Sequence, residues 1–159
     1  MKFCSGIGYD AHRLIAGRKL ILGGVEIPHD RGLEGHSDAD VIVHAVADAI
    51  LGALGEGDIG KHFPNTDESI RGLNSLQILA RVSELVTEKS ARIENIDATL
   101  LAEAPKIAAF IPAMREAIGA ALQVPAAAVS IKATTNEGLG AIGRGEGMAA
   151  LAVASVELP

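Results

Sequence analysis

Asp10 and His12 stand two residues apart near the end of a mostly apolar stretch, and they are the first side chains along the chain that could act together. Phe3 to His12 reads as a strand, on which side chains alternate faces, so residues two apart point the same way, about 6.6 Å apart. A carboxylate and an imidazole so placed converge on one cation or form a hydrogen-bonded pair at a strand end. His44 is the third member in prospect. Val43, Val46, Ala47, Ile50 and Leu54 recur at helical spacing, with Gly55 as the stop, and Asp40, His44 and Asp48 fall on a separate polar face. An Asp/His/His set suits zinc with a fourth position left open, as in catalytic rather than structural sites. The alternative is a helix histidine satisfied within the fold.

Gly35-His36-Ser37-Asp38-Ala39-Asp40 opens that helix, with Ser37 as the expected N-cap and Asp40 closing an S-x-x-D box. Free N–H groups and the helix dipole favour an anion there, unless Ser37 is only a cap and His36 a solvated loop residue. Asp58-Ile59-Gly60-Lys61-His62-Phe63-Pro64-Asn65-Thr66-Asp67 mixes acids, Gly and Pro, which fits either sugar hydroxyls or turn chemistry alone. Lys106 follows Ala104-Pro105 as a cation on a constrained turn. Thr134-Thr135-Asn136-Glu137 offers two hydroxyls, an amide and a carboxylate, which suit phosphate oxygens and a hard divalent cation. Gly138-Leu139-Gly140-Ala141-Ile142-Gly143 spells a dinucleotide fingerprint, but no helix is expected after it, so that reading is rejected.

Elements must carry these groups. Lys19 to Leu22 and Val25 to Ile27 flank Gly23-Gly24, a hairpin signal. A loop is expected from Pro28 to His36 and an ordered one over 55–73. Helices are expected from Ser75 to Lys89, with Leu79, Val82 and Val86 inward, and from Pro112 to Leu122. Strands are expected over Ile96–Leu101, Val129–Ala133 and Met148–Leu158. The alternation predicts a single α/β (α+β) domain over residues 1–159: a mixed sheet packed against about three helices, plus a small hairpin.

The bulk composition narrows the function. The 159 residues carry a net charge of −6, so no basic field gathers nucleic acid or an anionic membrane. An anionic substrate then needs local neutralisation by metal ions, a few cations or backbone amides. One cysteine, Cys4, excludes an intrachain disulfide and suits a reducing compartment. No apolar run approaches the ~20 residues of a membrane span, and no secretory signal is evident, so the expected location is cytoplasmic.

Taken in order, Gly8-Tyr9-Asp10-Ala11-His12, Gly35 to Asp40 with His44, Gly57-Asp58-Ile59-Gly60, Ala104-Pro105-Lys106, Lys132-Ala133-Thr134-Thr135-Asn136-Glu137 and Gly143-Arg144-Gly145-Glu146-Gly147 resemble the 2-C-methyl-D-erythritol 2,4-cyclodiphosphate synthase family over nearly the whole chain. The resemblance implies a homotrimer with active sites between subunits, acting in the methylerythritol phosphate route of isoprenoid biosynthesis. The implied reaction converts 4-diphosphocytidyl-2-C-methyl-D-erythritol 2-phosphate to the 2,4-cyclodiphosphate and CMP, a phosphorus–oxygen lyase reaction.

By the same resemblance, Asp10, His12 and His44 hold zinc, and Glu137 a second divalent cation, magnesium or manganese. His36 and Thr135 are the catalytic candidates, and His36 and Ser37 contact the phosphate and methylerythritol part. Asp58, Ile59, Gly60, Phe63, Pro64, Asn65, Thr66 and Asp67 line the sugar pocket, where Asn65 replaces a common Asp. Ala102, Glu103, Ala104, Pro105, Lys106, Ile107 and Ala108 read cytosine, and Thr134, Thr135 and Asn136 the diphosphate. Ala141 stands where Phe is usual, beside an axial cavity that can hold an isoprenoid diphosphate with Arg144 as anchor. A zinc-dependent nucleotide-diphosphate hydrolase is the alternative enzyme, and a small nucleotide-binding regulatory module the alternative outside catalysis.

Overall fold

The structure is a computed structural model and describes residues 1–64 and 73–159. Its centre is helix α1 (Val41–Leu54), apolar on almost every side, with eleven of its fourteen residues buried. A helix apolar all round has to be enclosed. The sheet encloses it from one side. Strand β1 (Lys2–Ala16) turns its even-numbered residues toward α1, and Gly6 and Gly8 let the two backbones touch. A Cβ at Gly8 would sit 1.9 Å from the carbonyl oxygen of Ala45, and one at Gly6 would sit 2.0 Å from that of Ala49.

Five strands form the sheet in the order β4 (Arg31–Leu33), β1, β7 (Gly147–Leu158), β5 (Arg92–Leu101), β6 (Val129–Thr134). The last strand runs antiparallel to both neighbours at the centre, while β5 and β6 pair in parallel, so the sheet is mixed. Hairpin β2 (Leu20–Leu22)–β3 (Val25–Ile27) stands apart. Its turn residues Gly23 and Gly24 have φ of 58° and 76°, a conformation that two glycines adopt without strain. Helix α3 (Ser75–Glu88) packs beside α1, with Leu79, Val82 and Val86 buried, and α4 (Ile111–Leu122) packs on α3.

Among the described residues three long helices are present, as the apolar periodicity predicts, along with two single turns, α2 (Ile59–His62) and α5 (Gly140–Gly143). Part of the expected 55–73 loop is therefore helical. The expected loop from Pro28 to His36 contains β4, which pairs Leu14 with Leu33 and Ala16 with Arg31. Ser37 is not the cap of α1. Asp40 is, and its fully buried carboxylate accepts from Val43 N (3.1 Å), Gly23 N (2.9 Å) and Gly24 N (2.6 Å). One side chain thus satisfies a helix start and a hairpin turn together.

Among the described residues, no helix is long and apolar enough to cross a membrane. The opposite face of the sheet from α1 is open and apolar. Phe3, Ile7 and Tyr9 of β1 are 66%, 70% and 60% exposed, and Leu151 and Val153 of β7 are 39% and 45% exposed. Ile7 pairs with Val153 and Tyr9 with Leu151, so these side chains form one continuous patch.

Candidate active site

The backbone contact between β1 and α1 sets how closely Asp10 and His12 approach His44. Asp10 Oδ2 lies 2.9 Å from His44 Nδ1 and 2.9 Å from His12 Nε2. One ligand atom from each of the three residues falls within 4.8 Å of the others. The two rings meet edge to face, with centroids 5.6 Å apart. Asp10, His12 and His44 side chains keep 23%, 21% and 14% of their surface, so the cluster is half-buried and open on one side.

Burial pushes the Asp10 carboxyl up, but hydrogen bonds and charge from His12 and His44 outweigh it and hold Asp10 well below the usual carboxylate range. The hydrogen bond to Asp10 raises His12 above the ordinary histidine value, against the pull of burial. His12 Nδ1 lies 2.7 Å from the carbonyl oxygen of Glu34, an atom that can only accept, so Nδ1 carries the proton and Nε2 of the neutral ring presents a lone pair. In that neutral form Nε2, buried 2.9 Å from Asp10 Oδ2, has no proton to give the carboxylate and no donor of its own among the described residues; only the protonated ring bonds to Asp10. An orphaned imidazole lone pair, a second imidazole nitrogen and a carboxylate oxygen facing one point are the donor set of a cation site with a free position.

The loop beside the cluster is held by Arg18. Its Nη1 donates to Gly35 O (2.7 Å) and its Nη2 to Ser37 O (2.6 Å), clamping the backbone on both sides of His36. His36 itself is exposed. Ser37 Oγ accepts from Ala39 N at 3.2 Å, which makes it a turn residue three positions ahead of the cap. On the other side, Asp58 caps α2 by accepting from Lys61 N (3.0 Å), and Asp48 Oδ1 accepts from Ile59 N at 2.8 Å. Burial raises the Asp48 carboxyl, and the nearby charges of Asp58 and Asp10 add to that. Gly60 and Pro64 are exposed, and Phe63 packs partly on the core. Asn65, Thr66 and Asp67 lie outside the described residues.

The polar face expected on α1 is therefore not a solvated stripe. Asp40 holds the hairpin, His44 meets Asp10, and Asp48 holds the start of α2. Arg18 and Asp48 are the positioning residues that the sequence did not disclose, because their partners are backbone atoms 11 to 19 residues away.

A second group assembles elsewhere. Ala102 N donates to Thr134 O (3.0 Å), and Asn136 N donates to Glu103 Oε1 (2.7 Å), which joins the 102–108 segment to the 134–137 loop. Glu137 N donates to Thr135 Oγ1 at 3.2 Å, and Glu137 holds a φ of 51°. Thr134, Thr135, Glu137, Ala104, Lys106 and Ala108 are exposed, Asn136 is half-buried and Ile107 is buried. The Ala104–Pro105 peptide bond is cis. Ala141 lies on α5, and Arg144 Nε donates to Glu146 Oε1 at 2.6 Å. The rejected glycine motif holds a single helical turn within itself and runs on into β7, so it offers no long helix for a pyrophosphate.

Both groups sit at the same end of the sheet, but not together. Asp10 pairs with Ala150, Ala150 with Leu100, and Leu100 with Ala133, so three strand spacings, about 14 Å, separate the metal cluster from the threonine loop.

An enclosed helix, a mixed sheet and a half-buried cluster of three candidate metal ligands define an α/β protein with a candidate cation site at one end of the sheet. A sequence profile of the YgbB family matches residues 3–157. The 2-C-methyl-D-erythritol 2,4-cyclodiphosphate synthase of Alkaliphilus oremlandii is 58% identical over 151 residues, 95% of this chain and 96% of its own. The structure of IspF from Plasmodium falciparum in complex with CDP superposes with a TM-score of 0.87 at 33% identity, covering 98% of this chain and 96% of that one. The bifunctional IspDF of Campylobacter jejuni gives a TM-score of 0.95 at 40% identity over 99% of this chain, which spans 43% of that longer protein. The chain belongs to the YgbB family, the family of the 2-C-methyl-D-erythritol 2,4-cyclodiphosphate synthases, and is an enzyme of that family. These relatives lend no support to a separate hydrolase.

Proposed function

We propose that residues 1–159 act as one catalytic unit that converts 4-diphosphocytidyl-2-C-methyl-D-erythritol 2-phosphate to 2-C-methyl-D-erythritol 2,4-cyclodiphosphate and CMP. The observation that carries this reading is the convergence of Asp10, His12 and His44 beside the clamped 35–37 loop. Asp10, His12 and His44 hold zinc, and Glu137 holds magnesium or manganese; bound there, these cations would neutralise diphosphate oxygens as charge builds on them. The chain's own residues do the rest. His36 and Ser37 orient the attacking 2-phosphate, Asp58 and Gly60 bind the polyol hydroxyls, and Thr134 and Thr135 take phosphate oxygens. The 102–108 segment reads cytosine, in keeping with a relative solved with CDP.

The 2-phosphate is already anionic at pH 7, since its second pKa is about 6. No side chain has to remove a proton, and the catalytic task is positioning. The two site groups lie about 14 Å apart within one chain, and an apolar sheet face stands open. Both features favour a homotrimer in which each pocket takes its zinc half from one subunit and its cytidine half from the next. The single half-buried Cys4 supports a cytoplasmic enzyme.

Phosphorus NMR of the products tests the reaction. Incubation of the zinc-loaded enzyme with the cytidylyl substrate and magnesium should give CMP and a cyclic diphosphate in equal amounts. CMP accompanied by an open-chain bisphosphate would replace the synthase reading with a hydrolase.

A further inference from the structure

His44 touches more than the Asp10 carboxylate. Its other ring nitrogen, Nε2, lies 2.9 Å from Ser75 Oγ, nearer than Ser37 Oγ at 3.4 Å. Ser75 is the first residue of α3 and is wholly buried. The Ser75 hydroxyl donates to Asp38 Oδ1, and its backbone N–H donates to Asp38 Oδ2 at 2.9 Å. Asp38 therefore grips Ser75 with both oxygens at a helix N-terminus, where a carboxylate is favoured.

The direction of these hydrogen bonds follows from counting protons. A serine hydroxyl has one, and here the Asp38 carboxylate takes it. Ser75 Oγ can then only accept from His44, so the proton of the neutral His44 ring resides on Nε2. Nδ1, 2.9 Å from Asp10 Oδ2, is left with its lone pair. Without the Asp38–Ser75 pair the ring would prefer the opposite tautomer, because Nδ1–H could donate straight to Asp10. That tautomer consumes two of the three ligand atoms in one internal hydrogen bond.

We infer that Asp38 and Ser75 are positioning residues that lock His44 in the Nε2–H tautomer and so fix Nδ1 as its metal-binding atom. This rests on the zinc reading above. The relay also crosses the fold: Asp38 comes from the site loop, Ser75 from α3 and His44 from α1, so the start of α3 has a part in metal binding that no ligand list would give it. Outer partners of this kind are worth about 10- to 100-fold in metal affinity.

The test uses the full-length zinc-loaded protein with 15N-labelled histidine, together with zinc affinity measured by competition against a chromophoric chelator. In the wild type, His44 should show a protonated, slowly exchanging Nε2 and a metal-bound Nδ1. Ser75→Ala should lower zinc affinity about 10- to 100-fold, and the zinc-free variant should show the Nδ1–H form. Asp38→Asn, which keeps volume but frees the serine proton to point at His44, should weaken zinc in the same direction and stands in if Ser75→Ala does not fold. Zinc bound through His44 Nε2 in the wild type would overturn the inference without any variant. So would affinities within twofold of wild type in the folded variants. A wild type that takes up no zinc would overturn the metal reading itself, a result separable from the other two.

Discussion

His44 can be a zinc ligand only if removing it removes the metal and not the fold. It contributes little packing that the eleven buried residues of α1 do not already supply. His44→Ala should therefore remain folded, lose stoichiometric zinc by elemental analysis, and lose activity by about 1000-fold or more, equivalent to several kcal/mol of charge stabilisation. Protons compete for the same atoms. With its pKa raised, His12 holds a proton to a higher pH than an ordinary histidine, so zinc affinity should fall with pH from above about 6.5. In the metal-free protein the signs differ by residue. The stabilisation from the raised His12 is present below about 6.5 and fades as pH rises through its folded value; that from the depressed Asp10 is present above about 3.9 and fades as pH falls through its folded value. Thermal melts of the apo protein should show this pair's contribution, absent in Asp10→Asn, to be greatest between about 4 and 6.5. For His36→Gln, a positioning role predicts a moderate loss of activity with the pH–rate profile unchanged in shape; a general base would cost ~100- to 10,000-fold and delete a limb. Asp10 and His12 were legible in the sequence because a strand repeats every two residues, and His44 because a helix start could be read at Gly35 to Asp40. Ser75 was not. It acts from 31 positions beyond His44, and nothing local marks a serine at a helix start as anything but a helix former.

At the scale of elements, the site depends on how deeply β1 sits on α1. Gly8→Ala places a methyl only 1.9 Å from the Ala45 carbonyl oxygen, and backbone cannot swing aside as a side chain can. The expected outcome is a loss of about 3 kcal/mol or more, read as a lower urea midpoint, together with weakened zinc binding. Arg18→Lys should leave zinc in place but release the 35–37 backbone, since a single ammonium cannot span two carbonyls. Steady-state kinetics should then show kcat falling with zinc content unchanged. The main helices and the hairpin were readable from apolar period and glycine placement. The cap of α1 was misplaced by three residues, because Ser37 and Asp40 both suit a helix start and the choice was made by the hairpin amides that Asp40 also satisfies. Strand β4 escaped notice because three residues, Arg31-Gly32-Leu33, carry too short a pattern and depend on pairing with Leu14 to Ala16.

For the molecule as a whole, the alternation of strands and helices gave a mixed sheet but not its order. That the last strand lies at the centre depends on pairings between residues more than 130 positions apart. The open apolar face is likewise a property of the assembled sheet: Phe3, Ile7 and Tyr9 share one face of β1, and no element among the described residues covers them. Light scattering should give three times the chain mass at micromolar concentration, and Ile7→Glu with Tyr9→Glu should yield smaller species that have lost activity. A fully active monomer would exclude the assembly.

The three strand spacings between Asp10 and Ala133 also have a genetic meaning. If a pocket borrows its two halves from two chains, a broken half can be lent a sound one. His44→Ala alone and Glu137→Ala alone should each be dead, yet chains of both kinds, unfolded together and refolded as a mixture, should regain activity. With equal amounts and random association, about a quarter of the pockets join an intact His44 from one chain to an intact Glu137 from its neighbour. Two silent alleles would then complement within one polypeptide species. Recovery near zero would mean that a single chain folds its substrate across the whole width of the sheet unaided.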